Sequence, residues 1–338
     1  MFVKRLLLTV VLTAAGAAQA QEVVLKFHHP LPPSSRAHQG FIAPWCEKVA
    51  AESSKRMTCQ LYPAMQLGGT PAQLLDQVRD GVVDLAWTLP GYSPGRFPLV
   101  EVFELPFLMR DGVGASKALW DFVQQHDAAE FKDVLPIAFH VHGGGLFHMV
   151  KKPIAKLEDL QGLKVRAPNR QSTKLLAQLG ATPVGMPVTQ VAESLSKGVI
   201  DGTLLPYEVL PAVKVDQLTK FHIESDAGGA KFHTLVFIFA MNRAKYNSLP
   251  ADLKKIIDNN RGLELSGKIG QNFVDADAAV RQKLPAQSIT QLSKTEVERW
   301  RKAGQVVTDE WVKEVTAKGA NGQQLLDAAQ ALITKYSK

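Results

Sequence analysis

The sequence predicts an α/β protein of two lobes, with mainly parallel sheets and a long helix bracing both lobes. Three observations predict it. Short apolar strands alternate with amphipathic helices, the pattern of helices layered on a largely parallel sheet. One unit occurs twice. Pro71 opens a helix closed at Gly81 and followed by Val82-Val83-Asp84 and a strand to Pro90; Pro187 opens another closed at Gly198, followed by Val199-Ile200-Asp201 and a strand to Pro206. Four matching residues alone can recur by chance, but a duplicated lobe accounts for the whole unit. Finally, helical periodicity runs without proline from Ala251 to about Lys283, and some 30 helical residues span about 45 Å.

At the N-terminus, Lys4 and Arg5 precede the apolar run Leu6 to Ala15, and Ala18-Gln19-Ala20 follows. This is the three-part pattern of a secretory signal over residues 1–20. The alternative, a membrane span, needs about 20 apolar residues, and neither this run nor any later one reaches that length. An exported chain that does not span the membrane is expected. Loss of Lys4 and Arg5 lowers the formal charge from +7 to +5, too diffuse to indicate nucleic acid. About 318 residues then remain, and the chain's 46% hydrophobic content suffices for two domains.

Cys46 and Cys59 are the only cysteines. Export places them where two thiols tend to pair, and a disulfide would tie a first helix, Gly40 to Ser54, to a strand at Met57 to Tyr62. Two buried free thiols are the alternative, since a metal site needs more ligands than this pair supplies. Strands are further expected at Val23 to His28, Val83 to Thr88, Leu135 to Val141, Leu146 to Lys151, Leu163 to Arg166, Ile200 to Leu204 and Thr234 to Asn242. Helices fill most of the gaps, and Lys294 to Lys318 and Gly322 to Tyr336 read as amphipathic helix interrupted at Gly319 to Asn321.

The stretch Leu160 to Gly180 carries the clearest chemistry. Leu163 to Arg166 is a strand that Ala167-Pro168 cannot easily continue, and Asn169 is a good N-cap for a helix running to Leu179 and stopped by Gly180. Arg166 therefore stands where a strand ends and a helix begins, a place suited to hold a carboxylate or phosphate. Pairing with an acidic side chain of the protein itself is the alternative.

Other motifs fail on physical grounds. Gly91-Tyr92-Ser93-Pro94-Gly95 matches a G-x-S-x-G nucleophile elbow, whose oxyanion hole needs the N–H of the residue after serine; that residue is Pro94, which has none. His140 and His142 share a strand face and His148 lies near, but no further ligand at helical spacing completes a metal site. His28 and His29, adjacent on a strand, face opposite sides. Gly143-Gly144-Gly145 lacks the Lys-Ser/Thr of a P-loop, and no dinucleotide fingerprint follows a strand. No cofactor and no metal are expected. A secreted two-lobed α/β chain with an anion-holding arginine and aromatic residues at strand ends, Trp87 and Phe147 among them, describes a solute-binding protein, whose ligands sit in the crevice at the carboxyl ends of strands.

Several segments resemble the substrate-binding subunits of tripartite ATP-independent periplasmic (TRAP) transporters, the DctP-like family. They are Leu25-Lys26-Phe27-His28 with the following Pro-Leu-Pro-Pro, Tyr62-Pro63 through Gly68-Gly69, Phe103-Glu104-Leu105-Pro106-Phe107, Leu157 through Pro168, Met186-Pro187 and Val199-Ile200-Asp201-Gly202. The likeness covers nearly the whole mature chain, and Gly162 to Pro168 is its most specific part. It implies a periplasmic receptor that captures a small organic acid and delivers it to TRAP-type membrane permease subunits. It also implies the two-lobed solute-binding fold, with Arg166 on the ligand carboxylate and Asn169 as a nearby polar contact. The family commonly has a second arginine near Gly145 or Leu146 and an asparagine at the position of Leu205, and both are missing here. A periplasmic enzyme or sensor subunit on the same fold stays open, although no nucleophile, base and metal set favours an enzyme.

The lobes are expected to comprise residues 22–143 plus 231–272, and 144–230 plus 273–338 with the C-terminal helices. The expected ligand is a monocarboxylate with an apolar or aromatic body, in preference to a sialic acid or a dicarboxylate. Trp87, Phe147, Val188, Leu205 and Tyr207 would cover that body, and His28 and Asn169 would orient a 2-oxo or 2-hydroxy group. Supply of the missing polarity by His148 or Glu208 is the alternative.

Overall fold

The computed structural model describes residues 22–225 and 229–337, so the signal expected over residues 1–20 lies outside the described residues. In chain order the elements are β1 (Val23–His28), α1 (Ala43–Glu52), β2 (Met57–Tyr62), α2 (Leu74–Arg79), β3 (Leu85–Thr88), α3 (Gly112–Phe122) and β4 (Val134–Val141). Next come β5 (Leu146–Met149), β6 (Lys164–Ala167), α4 (Arg170–Gln178), β7 (Thr182–Gly185), α5 (Val191–Ser196), β8 (Gly202–Leu205) and β9 (Phe221–Glu224). The chain ends with β10 (Val236–Asn242), α6 (Arg243–Ser248), α7 (Ala251–Asn259), α8 (Leu263–Arg281), β11 (Ile289–Gln291), α9 (Lys294–Ala317) and α10 (Gly322–Tyr336).

The strands form two sheets, ordered β2-β1-β3-β10-β4 and β11-β9-β5-β8-β6-β7. Five of the nine pairings are parallel, and every antiparallel one involves β10 or β5. All seven residues of β10 are buried, as a strand flanked on both edges and covered on both faces requires.

The repeated unit extends to individual hydrogen bonds. Reversing the second sheet gives β7-β6-β8-β5-β9, which matches β2-β1-β3-β10-β4 strand for strand. In the first sheet Asp84 takes the N–H of Lys26 on its carboxylate (2.8 Å) and returns its own N–H to the Lys26 carbonyl (3.1 Å). In the second, Asp201 does the same with Lys164 at 2.9 and 2.7 Å. The Asp of each Gly-Val-[Val/Ile]-Asp thus clamps the parallel neighbour at the start of the strand. The preceding Gly81 (φ 73°) and Gly198 (φ 69°) supply the left-handed turn that closes each helix.

The helical run expected from Ala251 to Lys283 is corrected to two helices. Asn260 to Gly262 separate α7 from α8; Gly262 has φ 105°, and the indole N–H of Trp45 donates to the Asn260 carbonyl at 2.8 Å. That tertiary bond compensates a carbonyl the helix gives up. At 19 residues α8 is about 28 Å long, and it still braces both halves. Asn272 donates to the Gly40 carbonyl before α1 (3.0 Å); Asp277 accepts from the Glu208 N–H after β8 (2.8 Å) and Arg281 pairs with Glu224 of β9 (2.5 Å). Helix α9 places Trp300 against Phe147 and Phe232, and the Trp311 indole donates to the Pro98 carbonyl (2.9 Å). Cys46 of α1 and Cys59 of β2 form the expected disulfide, Cα to Cα 5.6 Å, contributing roughly 3 kcal/mol by restricting the unfolded chain.

Candidate functional site

Arg166 lies on β6, and Asn169 caps α4 by accepting the Ser172 N–H (2.8 Å), so the strand-to-helix junction forms where the sequence indicates. The guanidinium is 1% exposed. Its Nε donates to the Met186 carbonyl and its Nη1 to the Leu204 carbonyl, both at 3.0 Å, which leaves Nη2 buried without a partner. No carboxylate among the described residues forms an ion pair with Arg166, and the acidic Glu101 beside the same helix start pairs with Arg170. Burial lowers the Arg166 pKa to about 10, which still leaves it protonated at neutral pH. Tyr92 stands close enough to interact with this charge, and its hydroxyl accepts the Val188 N–H (3.2 Å).

Arg166 lines a cavity of about 30 Å³ together with Trp87, Tyr92, His142, Val188, Leu205, Glu208 and Phe237. Trp87 and Phe237 stack with centroids 4.9 Å apart and planes within 3°. The Trp87 indole N–H donates to Nε2 of His140 at 2.8 Å, a ring that burial holds neutral with a pKa of about 3. His142 accepts the Gly144 N–H on Nδ1 (3.0 Å), and its Nε2 has no partner. The Glu208 carboxyl also keeps an unpartnered oxygen, and burial, with Asp277 beside it, pushes its pKa well above the ordinary value. A larger open groove of 510 Å³ adjoins, lined by Tyr207, Lys231, Asp277 and the Arg281–Glu224 pair among others. It lacks Arg166, and its Arg281 and Glu224 are already paired with each other.

Of the residues singled out in the sequence, Arg166, Trp87, Val188 and Leu205 are brought together at the cavity. Asn169 stands beside it as a cap, near Glu104. The other three are held elsewhere. His28 is engaged by Gln77 (2.7 Å) and the Leu67 N–H; Phe147 is wedged between Phe232 and Trp300; the Tyr207 hydroxyl donates to Glu224 (2.9 Å) on the open groove. Both ring nitrogens of His148 are occupied, by His222 (2.7 Å) and the Leu205 carbonyl (3.0 Å). Tyr92, His142 and Phe237 line the cavity without a sequence signal for that role: Tyr92 lies in the rejected serine turn, and His142 stood out only as a partner of His140.

The resemblance implies a second arginine near Gly145 or Leu146; at Gly145 a Cβ would fall 1.8 Å from Nε2 of His233. The His233 ring fills the space a longer side chain would need. Gly145 and His233 also join the two segments that cross between the sheets, the Gly145 N–H donating to the His233 carbonyl at 2.9 Å.

Comparison with known proteins gives one consistent result. The family described as bacterial extracellular solute-binding protein, family 7 (DctP) matches residues 27–314. A TRAP solute-binding protein from Rhodoferax ferrireducens, solved with copurified benzoate, superposes with a TM-score of 0.91 at 48% identity, covering 93% of this chain and 98% of that one. A marine metagenome TRAP protein specific for aromatic acid ligands, solved with 3-hydroxybenzoate, gives 0.91 at 44% identity over 94% and 100% of the two chains. One from Bordetella bronchiseptica, bound to (R)- and (S)-mandelate, gives 0.84 at 27% identity over 93% and 100%. The chain belongs to family 7 of the bacterial extracellular solute-binding proteins and by that membership is an extracytoplasmic receptor for a solute, not an enzyme.

Proposed function

We propose that the protein captures an aromatic monocarboxylic acid in the periplasm and delivers it to a TRAP-type membrane permease. One observation carries this reading: the buried, charged Arg166 keeps a free donor, Nη2, at a cavity otherwise walled mainly by apolar and aromatic side chains. A ligand carboxylate would take that donor, while Trp87, Phe237, Val188 and Leu205 would cover the ring. A 2-hydroxy or 2-oxo group beside the carboxylate would lie within reach of Tyr92. Arg166 is the only cation lining the cavity among the described residues, so a second carboxylate would be buried there without a cation of its own. Each hydroxyl of a sugar acid left unpaired would cost about 1–3 kcal/mol. The aromatic acids bound by the relatives at 48% and 44% identity support the same reading.

A cavity of about 30 Å³ is of the order of one water, so an aromatic acid requires the halves to part and close again. The lobes we assign to this motion are residues 22–143 plus 231–272, and 144–230 plus 273–338.

A thermal-shift screen tests the proposal, because a ligand at 100 times its Kd stabilises the fold by about 2.7 kcal/mol. Benzoate, hydroxybenzoates and mandelate should raise Tm, and succinate and galactonate should not. The reverse pattern overturns it.

A further inference from the structure

We infer that His142 is a specificity-determining residue of this site, donating a hydrogen bond from Nε2–H to the ligand carboxylate alongside Arg166. The inference rests on the aromatic monocarboxylate reading above and names a contact that reading does not contain.

The tautomer follows from the fold. Nδ1 of His142 lies 3.0 Å from the Gly144 N–H, a group that can only donate, so Nδ1 must accept and the ring proton sits on Nε2. That nitrogen is buried, has no partner, and belongs to a ring lining the same cavity as Arg166. A buried N–H without an acceptor costs free energy, and a carboxylate oxygen in the cavity would remove the cost. Arg166 contributes a second unpartnered donor, Nη2, and a carboxylate has two oxygens to satisfy both.

The two donors come from different halves of the molecule. His142 follows β4 of one sheet and Arg166 lies on β6 of the other, so one carboxylate held by both would tie the sheets together. Burial, with His233, His140 and Arg166 close by, keeps the His142 pKa well below its usual value. The imidazole therefore adds a donor and no second positive charge, which fits one carboxylate and not two.

Calorimetry with benzoate tests the assignment, because its carboxylate is its only polar group. Gln at this position can put an amide N–H near where Nε2 was; Asn can keep an acceptor for Gly144 but falls short of the ligand. His142→Asn should lose about tenfold to a hundredfold in affinity, as for a hydrogen bond to a charged group, and His142→Gln should stay within about threefold of the unmodified protein. The opposite order, or wild-type affinity in His142→Asn, overturns the assignment. NMR of the ¹⁵N-labelled unmodified protein decides even if neither variant folds: the His142 Nε2–H signal should move downfield at saturating benzoate, and an unmoved signal overturns it. If the unmodified protein binds no aromatic monoacid at all, the underlying reading fails and this assignment with it.

Discussion

The guanidinium of Arg166 donates from Nη1 to the main-chain oxygen of Leu204 at 3.0 Å. With the bond from Nε to Met186, it fixes the plane of the fork and leaves Nη2 as the one guanidinium nitrogen without a partner.

Replacing Arg166 by Ala should therefore weaken binding of an aromatic acid by on the order of 3–5 kcal/mol, the cost of a buried charge left without its partner. Lys should fail substantially too, since an ammonium cannot hold both carbonyls and the ligand in one plane. The Ala variant also strands two buried carbonyls, so its Tm should fall while its circular dichroism stays native below the transition. Unchanged calorimetric affinity in either variant contradicts the role given to Arg166.

Gly145 and His233 compete for one volume. Gly145→Ala should destabilise the protein by about 1–3 kcal/mol, as overpacking does, and His233→Ala should relieve most of that loss. Denaturant unfolding of the two single variants and the double variant measures it, and strict additivity of the two effects would show that the rings and the Cβ do not meet.

Glu104 supplies a pH signature. Its carboxyl is buried, accepts the Val236 N–H (3.1 Å) and has a pKa raised from 4.5 to about 8, chiefly by burial and then by Glu101. The folded chain keeps this proton where the unfolded chain has released it, so the group's contribution to stability is lost as pH rises from about 4.5 to 8. Glu104→Gln, which keeps the acceptor and has no proton to lose, should gain on the unmodified protein by at least about 1 kcal/mol across that interval. A stability difference that does not change between pH 5 and 8 contradicts a raised pKa.

Much of this was legible in the sequence, for reasons that can be located. Arg166 and Asn169 could be placed because a strand, a proline and an N-cap lie within a few residues of each other, and such signals are local. The repeat around Asp84 and Asp201 was visible for the same reason. The break between α7 and α8 was not, because Asn259-Asn260-Arg261-Gly262 contains no proline and the stop depends on Trp45, more than two hundred residues away. Strand β7 carries a proline and a glycine, which argue against a strand, and β11 has only three residues, too few to show a period. His28 and Tyr207 are aromatic strand-end residues like Trp87, but Gln77 and Glu224 draw them away. His142 and Phe237 enter the site from segments nearly a hundred residues apart, which no local pattern reveals.

Closure around the ligand should appear as compaction. The segments at Gly145 and His233 are joined by a single bridge, and such short connections can absorb a hinge rotation. Small-angle scattering should give a smaller radius of gyration at saturating benzoate than without ligand. Identical curves contradict hinge closure.

The most direct test is a calorimetric titration of the mature protein with benzoate and, separately, with succinate. Saturable one-to-one binding of benzoate with no measurable heat of binding for succinate is the expected result. Tight binding of succinate with none of benzoate would contradict it.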